Sequence, residues 1–190
     1  MTRARRNLWL GIAGVAAAQA LVLGWMIWDR AHLLASGREV VLEVVPVDPR
    51  SLFRGDYVIL GYDMSRIERP TGAPRPQRGD DIYVTLQKAE GGKWKVVGTS
   101  AQPPTATTAD QVVIKGQVTY ATDGSAQSPA LTMARYGIES FFVPEGTGRE
   151  LEALVREQKL SALIAVDGAG NAGIKGLMVD GERVYEEPLL

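Results

Sequence analysis

Twenty-one consecutive residues, Leu8 to Trp28, carry no charge, and that run restricts the chain more than anything after it. At about 1.5 Å of rise per residue, a helix of that length covers about 31 Å, the thickness of a bilayer's hydrocarbon core. Gln19 is the only strongly polar side chain inside it. Trp9 stands near one end and Trp25 and Trp28 at the other, the depth that indole rings prefer. Arg3, Arg5 and Arg6 precede the run, whereas Asp29 and Arg30 cancel after it. The positive-inside bias therefore predicts a cytoplasmic tail (1–7), a membrane helix (8–28), a juxtamembrane linker (29–37) and a domain outside (38–190). For a bacterial chain this means the inner membrane, crossed once, with a periplasmic domain.

A cleaved signal peptide is the competing assignment, because Ala18-Gln19-Ala20 has the small-x-small pattern of a cleavage site. The apolar run continues well beyond it, through Leu21-Val22-Leu23 to Trp28, which favours retention. Small residues at Ala16, Ala20 and Gly24 also give the helix a face that another helix can approach.

Charge and rare residues remove several function classes. The net charge is −1 and residues 1–28 hold three arginines without an acid, so the remainder stands at −4 (−1 less +3). An acidic domain gives no basic face for nucleic acid. With no cysteine and a single histidine, His32, thiol chemistry, cysteine-ligated zinc and a serine–histidine triad have no residues to build on. No cofactor loop is recognisable. Asp167-Gly168-Ala169-Gly170-Asn171 lacks the several acids of a calcium loop and predicts a tight turn.

Past Gly37 the pattern is that of short strands. Val40–Val47 is β-branched, with Pro46 marking an edge or a bend. Asp48–Asp56 is a loop, and Tyr57–Tyr62 is a strand apolar on both faces. Glu68–Gly79, with its prolines, is an exposed loop. Asp81–Gln87 and Lys93–Gly98 form a hairpin whose inward set is Ile82, Val84, Leu86, Trp94 and Val96. Val112–Tyr120 places Ile114, Val118 and Tyr120 on one face, and Leu131–Val143 is a strand region broken at Gly137. Thr147 and Glu150 have the spacing of a capping box opening a helix over 148–158 that buries Leu151, Leu154 and Val155. Ser161–Val166 and Ala172–Val179 close the chain as a hairpin. The expected class is mainly β (α+β): a sandwich or partly closed barrel with one helix, preceded by the membrane helix.

Gly55-Asp56-Tyr57-Val58-Ile59-Leu60-Gly61-Tyr62 resembles the signature of the GDYXXLXY family, matching at Gly55, Asp56, Tyr57, Leu60 and Tyr62. Val47-Asp48-Pro49-Arg50 with Phe53-Arg54 precedes it. Arg135-Tyr136-Gly137-Ile138-Glu139 and Phe142-Val143-Pro144-Glu145-Gly146 follow. The resemblance implies a bacterial membrane-anchored protein, often encoded beside a multi-spanning membrane protein, and brings no established activity, cofactor or catalytic residue. Its partners on this basis are the lipid bilayer and a multi-spanning membrane protein.

Two clusters are candidates for binding. Asp48, Arg50, Arg54 and Asp56 crowd a turn before a buried strand, where they either grip a ligand or serve the turn, with Gly55 supplying a positive φ. Arg135, Gly137 and Glu139 share a face if their segment is extended, with a gap at Gly137; the alternative is a bulge at that glycine. The expected function is a membrane-anchored extracytoplasmic accessory module that binds a membrane protein or envelope component. An envelope hydrolase is the second reading, because Asp48–Tyr57 is similar to the segment around the nucleophile of type I signal peptidases. Pro46 stands where that serine should be, so the chemistry would fall to Ser51 with Lys115, or to the carboxylates Asp56 and Glu139.

Overall fold

The structure, a computed structural model, describes residues 3–46, 57–70, 72–89, 92–104, 108–125, 128–143 and 147–186. It opens with a single unbroken helix, α1 (Arg3–Ser36). The Trp9–Ser36 stretch, whose most apolar 18 residues have a mean hydropathy of 1.9, is long and apolar enough to cross a membrane. The segment expected as a linker over 29–37 is the end of this helix, since nothing between Trp28 and Ser36 breaks one. Leu33 and Leu34 are buried there.

Among the described residues, eleven strands, a short 3-10 turn (Asp63–Ser65) and a second α-helix follow. A four-stranded antiparallel sheet has the order β1 (Arg38–Glu43), β9 (Leu160–Val166), β10 (Ala172–Val179), β11 (Glu182–Glu186). A five-stranded sheet has the order β3 (Arg66–Arg69), β7 (Ala130–Arg135), β6 (Gln111–Thr122), β4 (Asp81–Lys88), β5 (Trp94–Ser100). A short pair, β2 (Tyr57–Ile59) with β8 (Ser140–Phe142), completes the set, and α2 spans Gly148–Arg156. This is the strand-rich, partly closed arrangement that the sequence predicts.

Alternation explains which residues make the core. In β1, Val40 and Leu42 point inward while Glu39 and Glu43 stay exposed. β9 is buried at six of its seven positions, as a strand covered on both faces must be. Leu160, Ala162, Ile164 and Val166 join the main core cluster. Leu163 and Ala165 are buried outside that cluster, as are Leu33 and Leu34 of α1. A side-chain carbon built on Gly37 would lie 2.9 Å from the Ala165 Cβ, and one on Gly173 would lie 2.5 Å from Arg30 Nη1. Those two glycines thus let the last turns of α1 lie flat against β9 and β10. At the other seam, Arg38 crosses between the large sheets. Its guanidinium donates to the Gln111 and Ala109 carbonyls and lies 5.0 Å over the Trp94 ring.

Several expectations need correction, one of them because of a bulge. Val96 is 42% exposed and Tyr120 is 60% exposed. Val96 pairs with Leu86 on the edge strand β5, ahead of the extra residue Val97, so its exposure is that of an edge; the register of β6 against β7 shifts between Val118 and Tyr120. One extra residue turns the later side chains to the opposite face, so Ala121 is buried in place of Tyr120. Glu68 and Arg69, expected to open a loop, belong to strand β3, because β7 offers it an edge. β11 was not expected at all. Thr147 precedes α2 in a helical conformation and makes no capping bond through its side chain; a capping residue needs extended backbone to reach the second or third N–H. Leu151 and Val155 are buried as expected, with Leu154 half-buried.

Candidate functional site

The family-like segments meet at β2 and β8. Tyr57 pairs with Phe142, Val58 with Phe141 and Ile59 with Ser140. The ladder continues where the Leu60 N–H donates to the Glu139 carbonyl, at 2.9 Å. Leu60 is 1% exposed. Two tyrosines then clasp the segments reciprocally. The Tyr62 hydroxyl donates to the Ile138 carbonyl at 2.8 Å, and the Tyr136 hydroxyl donates to the Met64 carbonyl at 2.6 Å. Both rings are buried. Burial pushes both phenols well above the ordinary tyrosine range, and the nearby Glu139 charge pushes the same way. Neither phenol is suited to proton transfer near neutrality; both serve as fixed donors.

Arg135, Gly137 and Glu139 do not share a strand face. β7 ends at Arg135, Gly137 has a φ of 77°, and β8 begins at Ser140. The Glu139 carboxylate folds back to accept the N–H groups of Tyr136, at 2.6 Å, and Gly137, at 3.0 Å. It closes the turn as an anion receiving backbone donors, a charge-assisted arrangement. The glycine is needed for its positive φ, consistent with the break expected there.

Beside this turn lies an open hollow of about 490 Å³. Asp81, Lys115, Gln117, Arg135, Glu139 and Asn171 line it. Lys115 bonds the Asp81 carboxylate at 2.8 Å. That bond raises the Lys115 pKa above the ordinary lysine range, the opposite of what a lysine base requires. Arg135 forms no ion pair among the described residues. Next to Asn171, the Asp167 carboxylate accepts from the Ala169 and Asn171 N–H groups and from the Asn171 side-chain amide, all at 2.8–2.9 Å. This is the tight turn expected from the sequence, and its Gly170 carbonyl accepts the Lys115 N–H.

Asp48, Arg50, Arg54, Gly55, Asp56 and Glu145, as well as Ser51, lie outside the described residues. Of Tyr57 the backbone pairing is described. Leu60, Tyr62, Tyr136, Gly137 and Glu139 come together as structure, and Arg135 faces the hollow. Sequence reasoning missed Asp81, Gln117 and Asn171 as its lining. The outward positions of β6 were legible from their alternation, but the register that sets Gln117 opposite both Asp81 and Arg135 was not.

The family model for GDYXXLXY proteins matches residues 19–177. The chain belongs to the GDYXXLXY family. In this member, the signature strand and the Arg135–Glu139 segment form one hydrogen-bonded unit, so Leu60 and Tyr62 serve the fold, and the mixed-charge hollow lies beside them. Comparison with curated proteins finds no match, and neither does comparison with solved structures.

Proposed function

We propose that this GDYXXLXY protein is a single-pass protein of the bacterial inner membrane whose periplasmic domain is an accessory module, binding and supporting a neighbouring integral membrane protein or an envelope component. The observation that carries the reading is the union of α1 with the domain. An apolar helix long enough for a bilayer continues, without interruption, into the two buried leucines that seat it on β9 and β10. Cleavage after Ala20 would leave an apolar stump fixed to the folded domain, which supports retention of the anchor. Arg3, Arg5 and Arg6 support a cytoplasmic N-terminus. The mixed-charge hollow with exposed Arg135 supports recognition of a polar or acidic protein surface.

The test is purification of the tagged full chain from membranes in mild detergent, with a periplasm-restricted protease to check topology. The reading expects an alkali-resistant membrane protein, trimmed only from the periplasmic side, that brings a membrane protein with it. A chain that dissolves without detergent, or a stringent purification that recovers no membrane or envelope partner, removes the proposal.

A further inference from the structure

The proposed partner has a place to stand, and Gln19 marks it. This residue lies about 16 Å along the helix from Leu8 and about 14 Å from Trp28, near the middle of a bilayer. Among the described residues its carboxamide has no hydrogen-bond partner. It borders a shallow groove on α1 with Asn7, Gly11, Ile12, Val15 and Ala16. A carboxamide in hydrocarbon has no water to satisfy it, so a partner with a donor or acceptor at the same depth is favoured.

The direction of that face is fixed relative to the domain. At about 100° per residue, Arg30, Leu33 and Leu34 all project within about 60° of Gln19. They are also the residues that meet the domain, Leu33 and Leu34 by burial and Arg30 by its contact with Gly173. Asp29, His32, Ala35 and Ser36, on other sides of the helix, are exposed. α1 contains no proline, so the direction is carried along its length without a kink. The Gln19 face therefore lies under the overhang of the domain.

That placement selects the occupant. Two copies packed in parallel through Gln19 would bring their axes within about 8–10 Å, with both domains projecting into that same gap. A second copy meeting the first through the same face is sterically barred. We infer that the Gln19 face of α1 packs against a transmembrane segment of a different integral membrane protein, one that carries a hydrogen-bonding side chain at mid-bilayer depth and sits directly beneath the domain. The inference rests on the proposed accessory role and adds to it the face, the depth and the chemistry of the contact.

Photocrosslinking in intact cells tests it. Full-length chains carry benzoylphenylalanine in place of Leu23, about 40° from Gln19, of Leu21, about 160° away, or of Gln117 in the hollow. The expected result is an adduct with an integral membrane protein from Leu23 and none from Leu21. In that chain Gln19→Leu should lower the Leu23 adduct about 3- to 15-fold, the range that interhelical hydrogen bonds support, while Gln19→Asn retains most of it. Equal labelling from Leu21, a Leu23 adduct of twice the chain's mass, or indifference to Gln19→Leu overturns the inference. If the Gln117 probe labels a membrane protein and the Leu23 probe does not, the accessory role stands and the helix contact falls. If no probe labels anything, both fall.

Discussion

Tyr62 and Tyr136 show how single residues hold the signature together. Each sends its hydroxyl to a carbonyl of the other's segment, so removing one leaves a buried carbonyl without its donor. Tyr62→Phe and Tyr136→Phe should each cost about 1–2 kcal/mol, with the double variant departing from additivity, as denaturant titration in detergent can measure. The same pair gives a pH dependence. Above about pH 10 the phenols ionise in the unfolded chain but stay protonated in the folded one. The stability they contribute is complete below that pH and declines above it, so the part of the tyrosinate absorbance that is lost in the Tyr62→Phe and Tyr136→Phe variants should rise together with unfolding rather than before it. Gly137 was legible as a break. The role of Glu139 was not, because a carboxylate that folds back onto its own turn looks in sequence like a charge awaiting an opposite one.

At the scale of elements, β6 runs between β4 and β7 and works because one of its positions is empty. A side-chain carbon on Gly116 would lie 2.6 Å from the Tyr136 ring. Gly116→Ala should therefore destabilise by about 1–3 kcal/mol. Gly98→Ala in β5, where nothing lies within 4 Å, should stay within about 0.5 kcal/mol; thermal melts of the two variants side by side make the comparison. The hairpins β4–β5 and β9–β10 could be read from alternation and turn residues. Their bulges could not, since a bulge is a relation between two strands and leaves no mark on the alternation of one. β3 was obscured because only four residues, two of them arginines, precede Pro70. The hollow was illegible for the same reason as the bulges: its charges come from β4, β6, β7 and the turn before β8, and its amide, Asn171, from the turn before β10.

For the whole molecule, the decisive junction is where α1 meets the four-stranded sheet. Leu34 is 3% exposed, and Leu34→Ala should cost about 2 kcal/mol or more. Faster amide exchange in β9 and β10 would report the loss, whereas the exposed Ala35 should tolerate substitution without change. The sequence marked the apolar run clearly but placed its end at Trp28, because hydropathy registers where grease stops and not where a helix stops. A helix seated without a joint also acts as a lever. Helices tilt to match the thickness of the lipid around them, and here every degree of tilt is a degree of rotation for the head. A change of about 10° would sweep a point about 30 Å from the pivot through about 5 Å. Set in a bilayer, such a protein would convert thinning or thickening of the lipid into lateral travel of its outer rim, carrying whatever the rim holds along with it.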